Sequence, residues 1–333
     1  MKSLLQKLVE TPGPPGYETE VRKLVRSQVE AYAEDIRVDG LGNLIVRLGR
    51  QGPGGRRILA LAHMDEPGLI ASHIREGGLA RFMPLGELQP EVCAGQWVRF
   101  LNGAQGVIGY PPPDGKKLAI EQLFVDLGAG GCSQPPVHTG DVAVFDGKFL
   151  ELGECVAGKA LDNRVGVAVL VECLSRLSAQ QEASPHELVF AFTTQEQPGM
   201  RGAGAAAFRA QADIVLAVDV CDASDTPGAG GPGTCLGKGP VIRVRDRLML
   251  SHAGVIGWMT AAAESAGIPY QKEITGKPAG GAHAAQASAE GAAAGVLSVA
   301  CRYRGSPVEV VNWTDVEHQV DLLARMLAEA APF

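Results

Sequence analysis

Four short apolar runs end abruptly in polar residues: Ile58 to His63, Glu187 to Thr194, Asp213 to Val220 and Val296 to Tyr303. Their length and β-branched content predict buried strands. Helical patterns lie between them. Arg164 to Leu177 is apolar almost all round, which predicts a buried helix. Val255 to Ala266 and His283 to Ala294 are Ala-rich, a helix-favouring composition. Thr314 and Glu317 have capping-box spacing ahead of a last helix over Asp315 to Glu329. The opening stretch MKSLLQKLVETPGPPGYETE carries charges inside its apolar part and predicts an amphipathic helix, not a secretory signal. Strands alternating with helices predict an α/β fold: a mixed, mostly parallel sheet flanked by helices.

The middle of the chain breaks this rhythm. From about Pro67 to Ala157, strand-like pieces (LIASHI, WVRFL, GVIGY, VAVFD, FLELG) are separated by Gly- and Pro-rich turns such as GYPPPDG. This predicts a small all-β domain over 67–157, inserted between two halves of an α/β domain over 1–66 and 158–333. No repeat at a fixed period is present.

Composition narrows the function classes. Of 333 residues, 46% are hydrophobic and 20% charged, which excludes a disordered chain. The net charge of −7, with no Lys/Arg run, gives no footprint for nucleic acid or an anionic membrane, so neither is expected as a partner. No apolar run reaches the ~20 residues of a membrane span. Seven scattered Cys without a CxxC argue against a disulfide framework and suit a reducing, cytoplasmic location.

In open α/β sheets, functional groups gather at the carboxyl ends of the strands. Here those ends carry His63, Asp65, Glu196 and Asp219, and the buried helix opens on Asp162 and Asn163. A hydrolytic metal site needs nitrogen and carboxylate ligands and an open position for water, which His63, Asp162 and Asp219 could supply. Asp65, two residues past His63, would face the same side in an extended segment and could orient the imidazole. Glu196 is the candidate to take a proton from water. Taken singly, each has a plainer explanation: a satisfied strand-end His, a helix-start Asp, a turn-capping Asp, a solvated Glu. Their shared sheet edge is what lifts the set.

Competing motifs are weaker. Gly228, Gly230 and Gly233 match GxGxxG but lie well past their strand around Pro232. Gly202, Gly204 and Ala207 match GxGxxA but lack the acidic residue of a dinucleotide site. A nucleotide-binding oxidoreductase rests on these patterns alone. Neither a GxSxG elbow nor a Walker sequence occurs.

Several motifs in fixed order carry a resemblance: AHMDE (62–66), GKALDNR (158–164), TTQEQPGMRGA (193–203), AVDVCDASDTPG (217–228), LGKGPVI (236–242), GGAHA (280–284) and RYRGSPVE (302–309). The chain resembles the tetrahedral and glutamyl aminopeptidase-like family of metallopeptidases, some of whose members carry an endoglucanase or cellulase label. The resemblance spans nearly the whole chain, GPPGYE (13–18) included. It implies an aminopeptidase acting on peptides with zinc or cobalt, built as a homo-oligomer, a dimer or higher and up to a dodecamer, with the inserted β domain serving assembly. It also implies metal ligation by His63, Asp162 and Asp219, with Asp162 bridging to a second ion, and Glu196 as general base with Asp65 behind His63.

Two positions depart from the family pattern. Gln197 replaces an acid and Gly305 replaces a His, both of which would ligate the second ion. A third departure puts His283 in GGAHA, where a nitrogen ligand from a new direction is conceivable. The expectation is therefore an enzyme with one ion and an impaired second site. The alternative is a catalytically inactive paralogue acting as a structural, regulatory or binding subunit.

Overall fold

The computed structural model describes the chain apart from residues 76, 113–114, 116, 129–135, 180–183, 230–232 and 278–279. Gly230, Pro232, Cys132 and part of GYPPPDG lie outside the described residues. Four parallel strands form the centre of an eleven-stranded sheet, in the order Glu187–Thr193, Arg57–His63, Ile214–Asp222, Ala293–Arg302. Antiparallel strands extend it on both sides. Leu44–Leu48 and Asp35–Val38 lie beyond Glu187–Thr193. Glu309–Asn312, Cys155–Gly158 and Leu150–Leu152 lie beyond Ala293–Arg302. FLELG therefore contributes its strand to the large sheet.

Side chains alternate across a strand, and the central strands feed two separate cores. Ile58, Ala60, Ala62, Phe190, Phe192, Leu216 and Val218 face one core, packed under helices Lys2–Glu10, Thr19–Val29, Leu161–Ala179, Ala253–Ala266 and Trp313–Ala328. Leu59, Leu61, Val189, Ala191, Val215 and Ala217 face the other, covered by the small-residue helices Arg201–Ala210 and Ala282–Gln286. His63 and Asp219 continue the second series by parity. Parallel pairing brings their strand ends to one edge.

The inserted region is a closed antiparallel barrel of six strands, from Gly68–Arg75 to Val142–Phe145, around Leu69, Phe82, Val98, Phe100, Ile108 and Val125. Closure leaves no unpaired edge inside it.

Two further expectations need correction, beside the placing of FLELG in the inserted domain. His283 to Ala294 is not one helix: it forms a short helix, Ala282–Gln286, then turns through Ala289 (φ 54°) and Gly291 (φ 86°) into the strand Ala293–Arg302. Burial of Ala294 between Val215 and the second core overrides alanine's helix preference. The last helix starts earlier, at Trp313. Its cap is Asn312, whose side chain accepts from the Asp315 N–H, while Glu317 accepts from the Trp313 indole instead of closing a box with Thr314.

Candidate metal centre

His63 ends its strand, Asp219 sits near the end of the neighbouring strand, and Asp162 lies in non-helical backbone (φ −80°, ψ 96°) inside the first turn of Leu161–Ala179. One ligand atom from each falls within 4.8 Å of the other two, and all three residues are buried. His63 Nε2 lies 3.1 Å from Asp162 Oδ1. On the other side of the ring, His63 Nδ1 lies 3.1 Å from the Asp65 carbonyl oxygen and 3.5 Å from its carboxylate. A proton on Nδ1 donated to that carbonyl leaves the Nε2 lone pair for a cation.

Asp65 also holds the neighbouring loop. Its two carboxylate oxygens accept from the Glu196 and Gln197 N–H groups, each at 3.0 Å. Glu18 accepts from the Gln195 N–H, where the chain takes a positive φ of 54°. These bonds turn Glu196 towards the cluster. Both its carboxyl oxygens are buried and, among the described residues, have no hydrogen-bond partner.

The electrostatics describe a site short of positive charge. Burial, reinforced by Asp219, Asp65 and Asp162, pushes Glu196 up to about 8. Burial and the charge of Asp162 push Asp219 up to about 6. Burial opposes ionisation of Asp162 too, but the His63 hydrogen bond and the Arg304 charge outweigh it and hold that carboxyl down at about 2. Burial disfavours the charged His63, yet its bonds to Asp162 and Asp65 raise its pKa well above the ordinary value. A divalent cation would replace that imidazolium proton and neutralise the acids. The three donors and the orphaned Glu196 oxygens fit one ion and a water beside it.

The cluster opens into a cleft of about 690 Å³, roofed by Pro84 and Gly86–Gln89 of the barrel. Gln197 and Gly305 line it. Gln197 offers only a neutral amide, and Gly305 (φ 76°) offers no side chain. A second ion would have Asp162 alone of the three expected ligands, so these residues do not fit it. His283 stands apart from the ligand group, its Nδ1 3.4 Å from the Gly280 carbonyl.

Several residues here carried no expectation. Arg304 donates to Asp162 Oδ2. Glu309 accepts from the Asp162 and Gly305 N–H groups, and burial with Asp162 repulsion raises it to about 8. A Cβ on Gly280 would lie 2.4 Å from Asp219 Oδ2, so the glycine pair of GGAHA lets the backbone close on the site. Gly202, read as part of GxGxxA, is a packing position against Thr194 and Asn43.

Comparison with known proteins decides the family. The pattern of the M42 glutamyl aminopeptidase family matches residues 42–322. The chain belongs to the M42 glutamyl aminopeptidase family. Membership places it among the hydrolases, as the motifs implied. A protein of Acetivibrio thermocellus is 36% identical over 335 residues, covering 98% of each chain. An aminopeptidase from the archaeon Desulfurococcus kamchatkensis superposes with a TM-score of 0.93 at 33% identity, covering 99% of this chain and 95% of the other. The TET1 peptidase of Pyrococcus horikoshii, which can assemble into a tetrahedron or a large octahedral shell, superposes with a TM-score of 0.87 at 32% identity, covering 98% and 99%.

Proposed function

We propose that this M42 member is a metal-dependent aminopeptidase that releases N-terminal residues from peptides with one divalent ion, zinc or cobalt. His63, Asp162 and Asp219 hold the ion. The observation that carries this reading is the buried three-ligand cluster with the unpartnered carboxyl of Glu196 beside it.

A cation bound there supplies Lewis acidity towards a water and the scissile carbonyl. Glu196 takes the proton of the attacking water and returns it to the departing amine. A carboxyl raised towards neutrality by its surroundings suits both transfers. Asp65 fixes the Glu196 backbone, and residues 86–89, which follow a barrel strand, line the cleft beside it. Glu196→Gln keeps the shape and removes the base. It should cut kcat by about 10²–10⁴-fold and leave metal content unchanged. A variant as active as the wild type would refute the role.

Gln197 and Gly305 favour one ion over two, and they are also what supports the second reading, an inactive paralogue. That reading expects metal binding without release of any N-terminal residue. We assign assembly into a homo-oligomer to the inserted barrel, whose surface exposes Trp97 (66%), Met83 (62%) and Tyr110 (51%).

A further inference from the structure

Asp162 is gripped from both sides. Its Oδ1 faces His63 and the ion-binding cluster, while its Oδ2 accepts from Arg304 Nη1 at 3.1 Å. Arg304 Nε donates to Asp222 Oδ1 at 2.7 Å, and Asp222 in turn accepts from Lys277. Two anchors on different nitrogens fix the plane of the guanidinium, leaving little rotamer entropy to lose. Among the described residues Nη2 donates to no protein atom, and the side chain, one quarter exposed, lines the same cleft as Glu196. The same cleft is lined by Asp162, Asp219 and Glu196, so the guanidinium belongs to the wall a substrate would meet.

Arg304 occupies Oδ2, the oxygen that would reach a further ion, and Gln197 and Gly305 offer none of the missing ligands. A permanent positive charge stands there instead. We propose that Arg304 is a catalytic residue: its guanidinium binds the carbonyl oxygen of the scissile peptide bond and carries the charge that develops on it. The inference rests on the aminopeptidase reading. As the water oxygen bonds to the carbonyl carbon, its proton passes to Glu196 and the C=O π pair moves onto the oxygen beside Arg304. When the pair returns, the C–N bond breaks, and the amine nitrogen leaves with that bond's electrons and the proton from Glu196. A preorganised donor at this point acts on the transition state more than on bound substrate.

The test uses the zinc-loaded full chain and two probes: a peptide amide substrate, and a phosphinic pseudopeptide whose anionic tetrahedral oxygens mimic the addition product. Zinc content is measured in parallel. Arg304→Ala should lower kcat by about 10²–10³-fold with little change in KM. It should weaken phosphinate binding by on the order of 100-fold in calorimetric titration and still retain one zinc per chain. Arg304→Lys, which keeps the charge without the planar fork, should recover part of both losses, and it stands in if the alanine variant does not fold. Wild-type phosphinate affinity in these variants would overturn the proposal. So would a loss confined to KM for substrates bearing a carboxylate, since Arg304 would then recognise a substrate acid. A wild type that binds phosphinate through Arg304 but never turns over peptide would support the oxyanion site and sink the aminopeptidase reading. A wild type that binds no phosphinate would sink the Arg304 assignment itself.

Discussion

At the scale of single residues, Asp65 has more to do than orient an imidazole. The nearer partner of His63 Nδ1 is the Asp65 backbone carbonyl, while the carboxylate spends both oxygens on the Glu196 loop. Asp65→Asn keeps one acceptor and loses the other. It should therefore leave zinc affinity within about tenfold, yet lower kcat by about 10²-fold through misplacement of the base. Titration with zinc beside steady-state kinetics separates the two. Away from the site, buried His186 accepts from the Arg56 N–H through Nδ1 and lies 2.9 Å from the Glu329 carbonyl through Nε2. Burial lowers its pKa below 6.5, so the unfolded chain takes up the proton first. Its contribution is complete above about pH 6.5 and is lost as the pH falls towards the folded pKa. Urea midpoints at pH 7.5 and 5.5 should differ less for His186→Gln than for wild type. His63, Asp162, Asp219 and Glu196 were legible because each polar residue interrupts an apolar stretch at a strand or helix end. Arg304 and Glu309 were not. Their positions depend on the tight reversal through Tyr303 (φ 60°) and Gly305 (φ 76°), and a charged residue in a loop otherwise reads as solvated.

At the scale of elements, the site depends on how closely helices approach the sheet edge. Gly202 at the start of Arg201–Ala210 leaves no room for a methyl group: a Cβ would lie 2.4 Å from both the Thr194 carbonyl oxygen and Asn43 Oδ1. Gly202→Ala must push this helix off the segment leading to Glu196. It should cost about 1–3 kcal/mol and reduce turnover, measured by urea unfolding and kinetics on the same preparation. The parallel strands were legible as uninterrupted apolar runs, because burial on both faces removes polar alternation. The fate of the Ala-rich run after His283 was not. Alanine by itself prefers a helix, and only the sheet position beside Ile214–Asp222 overrides that preference.

At the scale of the molecule, a mixed sheet with a parallel centre carries the candidate site, and a closed barrel lines one side of the cleft while showing apolar side chains outward. Trp97 and Val107 pair across adjacent barrel strands and are both exposed. If this surface joins copies of the chain, Trp97→Asp should shift the native mass, in light scattering, towards a single chain of 34.8 kDa, with little change in far-ultraviolet circular dichroism. A variant that keeps the wild-type mass would move assembly to another face. The order of strands and helices made the inserted barrel legible. Which surfaces meet was not, because exposed apolar residues acquire meaning only when folding groups them.

The central claim is that one divalent ion sits between imidazole and carboxylates beside Glu196. An anomalous-scattering map at the zinc edge, from crystals of zinc-loaded protein, tests it most directly. The account predicts one peak within coordination distance of His63 Nε2, Asp162 and Asp219, and a guanidinium, not a second peak, on the far oxygen of Asp162. No peak among those three residues, or a second ion displacing Arg304, would contradict it.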